Sequence, residues 1–565
     1  MTWRPALALL AACLAVYGRW VPGADFIHDD RWIIQENALL RGGWSAAPAV
    51  AATGYWEQAQ GSAAPVSELR PLLMLSFLGQ SALFGMRAAP MRAANLLIHF
   101  LAGFLVLKVL SRRFPADAAL AGALLFAVLG VHVEAAAALT GRSELLSAAF
   151  ILGAWLLLED PVRPRAAGGV LLFLMGAFTK EHTFLFPFFL ALGDWVFHGL
   201  LPWSARRRGV YAGLAGAGAA ALAVRLAVLD RPFHGGAAYF AATAPLDAVL
   251  TWAKFFALHY AVPAAAATEF CSDFTRPLIP DSGPGDAAAW ACLAALILAG
   301  GSILYGLARR RPWSFWAAGP ALFLLPTTHL VVSLDTIGAE RFLYFPALAL
   351  CAGLAGLYRL VQARSKAAAL AGAGLLILWQ GWSASARAKT WNSSLDYYRA
   401  AVSCNPGSAR AHSALGAELL SGGDDAQGVR LLERSISLNP KLSHPHYNLA
   451  LRAWERGNKK EAEARLKNAL ERDPSSADYW VLWGVIQEGL GRPGPARQAH
   501  ERALALRPWD ERAHYNLARL SLLEKKPVDA AEHLDRFLKS APQDPMAPWA
   551  RNTLNALLSP PLEGR

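Results

Sequence analysis

Two adjacent carboxylates, Asp29 and Asp30, stand in the stretch GADFIHDDRWIIQEN (residues 23–37), just past the first apolar run of the chain. A carboxylate at the edge of an apolar bundle can take a proton from a hydroxyl nucleophile as a general base. Further along, charged residues recur at the ends of apolar runs: His132 and Glu134 in GVHVEA, Arg142 and Glu144 in TGRSELLS, Lys180 and Glu181 with His182 in TKEHTF, and Glu340 with Arg341 in GAERFLYFP. Ionisable groups in or beside membrane spans are costly and by default mark a functional site. Acids that accept protons, set beside cations that face an anion, suit a reaction between a lipid-borne anion and a water-borne acceptor. The plainer reading of any one of them is an ion pair between helix ends, such as Glu134 with Arg142, and a solvated turn is the lesser reading of Asp29-Asp30. No His/Cys cluster has metal-ligand spacing, and no GxxxxGK[ST] or GxGxxG loop is present, so neither a metal nor a nucleotide is expected.

The elements that must hold these groups are apolar. The chain has 565 residues, 55% hydrophobic and only 17% charged, which excludes a disordered protein. Runs near 5–22, 91–110, 116–131, 143–158, 166–179, 183–198, 209–228, 286–307, 313–331, 342–361 and 366–386 predict about eleven membrane spans. LAAC, residues 10–13, resembles a lipoprotein cleavage box, but the apolar run continues past Cys13, so an uncleaved anchor span is expected. The net charge of +12 does not point to nucleic acid, because much of it lies in short clusters between runs. With the N-terminus inside, Arg112-Arg113, Arg163 with Arg165, Arg206 to Arg208, Arg309 to Arg311 and Arg364 with Lys366 all fall on the cytoplasmic side. That phase requires residues 246–263, which carry Lys254 and His259, to lie along the surface without crossing. All the charged run ends listed above then share the outer side with Asp29 and Asp30. Of five cysteines, Cys13, Cys292 and Cys351 fall in apolar runs, so only Cys271 and Cys404 can pair outside the membrane.

Residues 1–386 thus predict a multi-span domain, and residues 387–565 a second domain of different character. Pro406, Pro440, Pro474, Pro508 and Pro542 are each 34 residues apart, and Leu415-Gly416, Leu449-Ala450, Trp483-Gly484 and Leu517-Ala518 keep the same register. Small residues at fixed places let paired helices pack closely, and a proline closes each pair. This is the tetratricopeptide pattern. Full repeats are expected at about 409–442, 443–476, 477–510 and 511–544, after a half repeat at 394–408. The predicted fold class is all-α: a membrane helix bundle followed by an α-solenoid.

DFIHDDRWIIQEN, RPLLMLSF, ANLLIHFLAGFLV, GVHVEAAAALTGRSELLSAAFILGAWLL, KEHTFLFPFFLALGDW and AERFLYFP, closed by these repeats, resemble the transmembrane-and-tetratricopeptide protein O-mannosyltransferases and their bacterial relatives. The likeness runs in order along nearly the whole chain, although GVHVEA stands where that family has a Pro-initiated version and the repeats are fewer than in animal members. It implies a C-type glycosyltransferase fold whose first outer loop holds the catalytic carboxylate, and a donor that is a polyprenyl-phosphate sugar, usually mannose. It implies no metal and no other cofactor, an inverting transfer, and an acceptor hydroxyl of protein Ser or Thr outside a bacterial cytoplasmic membrane, or across the endoplasmic reticulum membrane in a eukaryote. Asp29 or Asp30 is then the base. Arg341, Lys180 and Arg142 are candidates for the donor phosphate, and His132, Glu134, Glu144, Glu181 and Glu340 for sugar binding or orientation. The solenoid is expected to hold an acceptor polypeptide or partner protein. The alternatives are transfer to an envelope glycan or lipid, and a non-catalytic membrane scaffold.

Overall fold

In lipid every backbone N–H and C=O must be satisfied within its own segment, so long apolar runs can fold only as helices or closed barrels. The computed structural model describes residues 3–56, 68–160, 162, 164–229, 239–240, 243–267, 271, 273–275, 278–329, 336–542 and 544–559. Arg163, counted above among the basic loops, lies outside the described residues. Each of the eleven expected runs is helical over most of its described length. Four helices, Ala88–Leu110, Arg208–Val228, Ala287–Ala308 and Lys366–Trp391, are long and apolar enough to cross a membrane singly. The first, of 23 residues, is about 35 Å long at 1.5 Å per residue, against a hydrocarbon core of about 30 Å. One apolar helix falls outside the predicted spans: Pro71–Phe84, opened by Pro71 and closed where the N–H of Gly85 donates to Ser81 O (2.9 Å).

The described residues divide into two compact units, one of those up to residue 405 and the other of those from 406 on. In the first unit the run at 116–131 is broken. Helix Ala116–Val128 and the segment Gly130–Ala137 meet at a bend of 50°. The backbone groups freed there are satisfied by the last span: Gly130 N–H donates to Gln380 Oε1 (3.1 Å), and Arg387 Nη1 donates to Gly130 O (2.7 Å). That is how an irregular backbone survives inside an apolar bundle. Helix Ala116–Val128 also packs closely on Leu348–Gln362, where a Cβ at Gly122 would lie 2.6 Å from the carbonyl oxygen of Cys351. At the basic-loop end, Arg207 pairs with Asp194 (2.6 Å), which also accepts from Tyr211 (2.7 Å), and Arg112 pairs with Glu159. Cys271 and Cys404 form a disulfide that holds the end of helix Ser394–Cys404. This helix, predicted as a half repeat, packs in the first unit.

The second unit is built of helix pairs: Ala409–Ser421 with Asp425–Leu438, His444–Glu455 with Lys459–Arg472, Ala477–Gly489 with Pro493–Leu506, and Glu511–Leu523 with Pro527–Ser540. A ninth helix, Ala547–Leu558, follows. Ala462, Ala496 and Ala530, one repeat apart, are fully buried, as are Ala469 and Ala503. Gly423, Gly457 and Gly491 turn each pair with φ between 75° and 87°, and Lys525 takes the same place in the fourth with φ 58°.

Candidate active site

His28 has φ 52°, a left-handed conformation uncommon outside glycine. Asp29 and Asp30 follow it and open a helical turn that continues as Arg31–Gln35. The two acids meet different surroundings. Asp30 is completely buried and accepts hydrogen bonds from the N–H groups of Leu139 (3.1 Å) and Thr140 (2.9 Å). These donors lie in the turn between helices Val133–Ala137 and Arg142–Leu158, where a Cβ at Gly141 would stand 2.4 Å from the carbonyl oxygen of Ala135. Burial raises the pKa of Asp30, and the two N–H groups offset this only in part. Asp30 therefore ties the first loop to the second half of the broken span.

Asp29 keeps 17% of its side chain exposed, with Oδ1 2.7 Å from His28 Nδ1. Burial opposes its ionisation, but His28 beside it, with the Arg341 and Arg70 charges beyond, outweighs burial and holds the carboxyl below its ordinary range.

Arg341 lies on the turn Glu340–Leu343. Its N–H donates to Glu134 Oε2 (3.0 Å), its guanidinium pairs with Glu134 Oε1, and a third of its side chain remains exposed. Lys180 pairs with Glu144, and both are buried, with His182 Nδ1 3.7 Å from the second Glu144 oxygen. Glu181 accepts from Arg70 (Nη2 3.0 Å, Nε 3.3 Å to both oxygens) and from Arg225 (3.2 Å). Arg70 also pairs with Glu68 (2.8 Å) and covers the ring of Tyr55 (4.5 Å). Asp29, Arg341, Lys180, Glu134, Glu144 and Glu181 thus belong to one network of charge at one end of the bundle. Among the described residues no group of three or more His, Cys, Asp or Glu could hold a metal ion.

Three predicted site residues are taken up by partners inside the bundle. Arg142 is wholly buried: Nε donates to Asn95 Oδ1 (2.7 Å), Nη1 to Ser76 Oγ (3.1 Å) and Nη2 to Met91 O (2.9 Å), with the guanidinium over the Phe77 ring. All its nitrogens meet protein acceptors, so it braces three segments, and Glu134 pairs with Arg341 instead. His132 is also buried, with Nδ1 2.8 Å from Phe126 O and Nε2 3.1 Å from Tyr344 O, bridging the break in its span. Glu340 pairs with Arg387 on the last span; burial pushes its carboxyl up to about 7 although Arg387 opposes this. Sequence inspection passes over His28, Tyr55, Arg70 and Arg225. Arg225 carried a usable signal, as a lone cation inside an apolar run, and Arg70 is the first residue of the quoted RPLLMLSF.

Family models described as "Tetratricopeptide repeat" match residues 447–508 and 489–547. The chain is similar to proteins named Protein O-mannosyl-transferase TMTC1. It is 34% identical to that of Mus musculus over 167 residues, covering 29% of this chain and 18% of the relative. It is 32% identical to that of Homo sapiens, covering 29% of this chain and 19% of the relative. The Drosophila melanogaster protein is 24% identical over 524 residues, covering 75% of this chain and 60% of the relative. The chain thus matches under a fifth of the length of the two mammalian relatives and about three fifths of the fly protein. The resemblance to transmembrane-and-tetratricopeptide proteins, read from the sequence motifs, holds in these comparisons. The helical bundle makes the chain a membrane protein, and the repeats are of the kind that bind other proteins.

Proposed function

We propose that this chain is a membrane glycosyltransferase that moves a sugar, mannose in the first instance, from a polyprenyl phosphate to an acceptor hydroxyl of protein Ser or Thr. One observation carries the reading: an ionised, partly reachable carboxylate, Asp29, faces the Arg341 and Arg70 cations at one end of an apolar bundle. In the reaction the acceptor oxygen attacks the sugar's anomeric carbon from the face opposite the phosphate, and Asp29 takes the hydroxyl proton. The carbon–oxygen bond to the lipid phosphate breaks with inversion, and the phosphate leaves as an anion. Arg341, exposed enough to be reached, meets that developing charge, with Lys180 and Arg70 behind it. Glu134, Glu144 and Glu181 hold these cations in place, and Glu181, the most exposed of the three, is the one open to a sugar hydroxyl. Asp30, Arg142 and His132 shape the floor without touching substrate. Glu340, paired with Arg387, steadies the turn that carries Arg341.

The names of the relatives support this reaction class, and the basic loops at the opposite end support an outward-facing site. A disulfide between Cys271 and Cys404 suits the oxidising side of a bacterial cytoplasmic membrane, where the repeats would recruit an acceptor polypeptide. The test is direct. Purified chain is incubated with polyprenyl-phosphate mannose and a Ser/Thr-rich peptide, with and without chelator, and the peptide is read by mass spectrometry. A hexose on the peptide is the expected result. Hexose found only on co-purified glycan or lipid would redirect the acceptor assignment, and unconsumed donor with every acceptor would remove the enzymatic reading.

A further inference from the structure

His28 lies between the candidate base and helix Ser394–Cys404. On one side its Nδ1 is 2.7 Å from Asp29 Oδ1. On the other its ring packs against Tyr397 and Tyr398 of that helix, with centroids 5.6 Å and 6.4 Å away, and against Trp32 at 6.1 Å. The helix is itself pinned at its far end. Cys404 is bonded to Cys271, and Asn405 Nδ2 donates to Thr275 Oγ1 (2.9 Å) and Asp273 O (3.3 Å). At its near end Tyr397 packs on Trp391 (4.7 Å). The left-handed backbone of His28 is strained for a residue with a side chain. Strain of this kind persists only where the surroundings over-determine it, and it clusters at functional sites.

We propose that His28 is a positioning residue for the transfer step: clamped by Tyr397 and Tyr398, it fixes the Asp29 carboxylate in one orientation toward the acceptor hydroxyl. The inference rests on Asp29 being the base. It also gives helix Ser394–Cys404, whose sequence follows the repeat pattern, a place in the catalytic unit as the wall behind the base.

The charged and titratable groups around His28 are Asp29 and Asp30 on its own loop, Arg341 on the facing turn, and Tyr397 and Tyr398 on the helix. Burial and Arg341 favour the neutral imidazole. Asp29, with Asp30 behind it, outweighs them, so His28 holds its proton above its ordinary range. The imidazolium in turn favours ionised Asp29, which sets the sign of the test. Without a cation at position 28 Asp29 gains a proton more readily, and the acidic limb of the kcat/KM profile moves to higher pH.

The experiment uses the full chain in detergent with polyprenyl-phosphate mannose and a Ser/Thr-rich peptide. It compares His28→Ala, His28→Asn and Asp29→Asn with the parent from pH 4.5 to 9, taking each variant's melting temperature. Asparagine tolerates the left-handed backbone and keeps a neutral donor close to where Nδ1 sits. The expected result is a fall in kcat of about 10²-fold for His28→Ala with donor KM unchanged. His28→Asn should recover much of this loss while its acidic limb moves up by about one pH unit. If Asp29→Asn is inactive and the limb of His28→Asn stays where the parent's is, the positioning role is refuted and the base assignment stands. If Asp29→Asn turns over like the parent, the base assignment itself falls. Should His28→Ala not fold, His28→Asn alone decides.

Discussion

Changing each acid of the pair to its amide separates proton acceptance from anchoring. Asp29→Asn preserves size and hydrogen-bonding capacity at the reachable position but cannot take a proton. Removing general-base assistance costs ~10²–10⁴-fold in rate. At 1.36 kcal/mol per decade this is about 3–5 kcal/mol of barrier. Donor affinity should stay near the parent's, because the carboxylate acts on the acceptor. Asp30→Asn acts on another quantity. The native carboxylate gives one oxygen to the N–H of Leu139 and the other to that of Thr140. The amide keeps one oxygen and turns an NH2 toward the second donor, leaving a buried N–H unpaired. That costs about 1–3 kcal/mol, and it is read as a lower melting temperature of the solubilised protein while turnover per folded molecule falls far less. Single-turnover transfer from labelled donor, normalised to folded protein, measures both effects. If Asp30→Asn lost transfer at the parent's melting temperature while Asp29→Asn remained active, the two roles would be reversed. If both variants and their double mutant transferred sugar as well as the parent, the pair would be a surface turn.

Arg341→Gln should raise donor KM and lower kcat together, by ~10²-fold or more in kcat/KM, because a cation facing the phosphate acts in the ground state and more strongly as the leaving group departs. Arg341→Lys should restore part of both, and a loss of melting temperature alone would reduce Arg341 to the partner of Glu134. A reporter active only in the cytoplasm should be silent when fused after Pro542 and active near Arg207; activity at the C-terminal fusion would overturn the outward placement of the repeats. Lys525→Gly should raise the urea stability of the repeats by about 1 kcal/mol, since it relieves a left-handed lysine at the place where Gly423, Gly457 and Gly491 stand in the other pairs. An unchanged or lower midpoint would mean that the unfolded-state entropy of glycine cancels the relief.

What the sequence reveals and what it withholds follow from the range of the forces involved. The solenoid is legible because each pair packs mainly on its neighbours, so the 34-residue spacing of Pro406 to Pro542 repeats one local solution. The apolar runs are legible because lipid imposes the same demand on every residue. The break at Gly130 is not, since what permits it is Gln380 and Arg387, about 250 residues away in the chain. Adjacent Asp29 and Asp30 are equivalent in sequence; Leu139 and Thr140 claim Asp30, and His28 lies against Asp29. Arg142 shows the same limit from the other side. By type and position it matches Lys180 and Arg341, yet Asn95, Ser76 and Met91 together take up its whole guanidinium. Charge type at a span end therefore identifies which residues can act, and long-range pairing decides which of them stay partly exposed, as Asp29 and Arg341 do. Helix Ser394–Cys404 extends the point to whole elements. Its periodicity is that of a repeat, but the Cys271 disulfide and the contacts of Tyr397 and Tyr398 with His28 bind it to the membrane unit. A helix that follows the repeat pattern thus packs beside the acid pair in the first loop, and a truncation made at the start of the repeat pattern would remove part of the candidate site together with the solenoid.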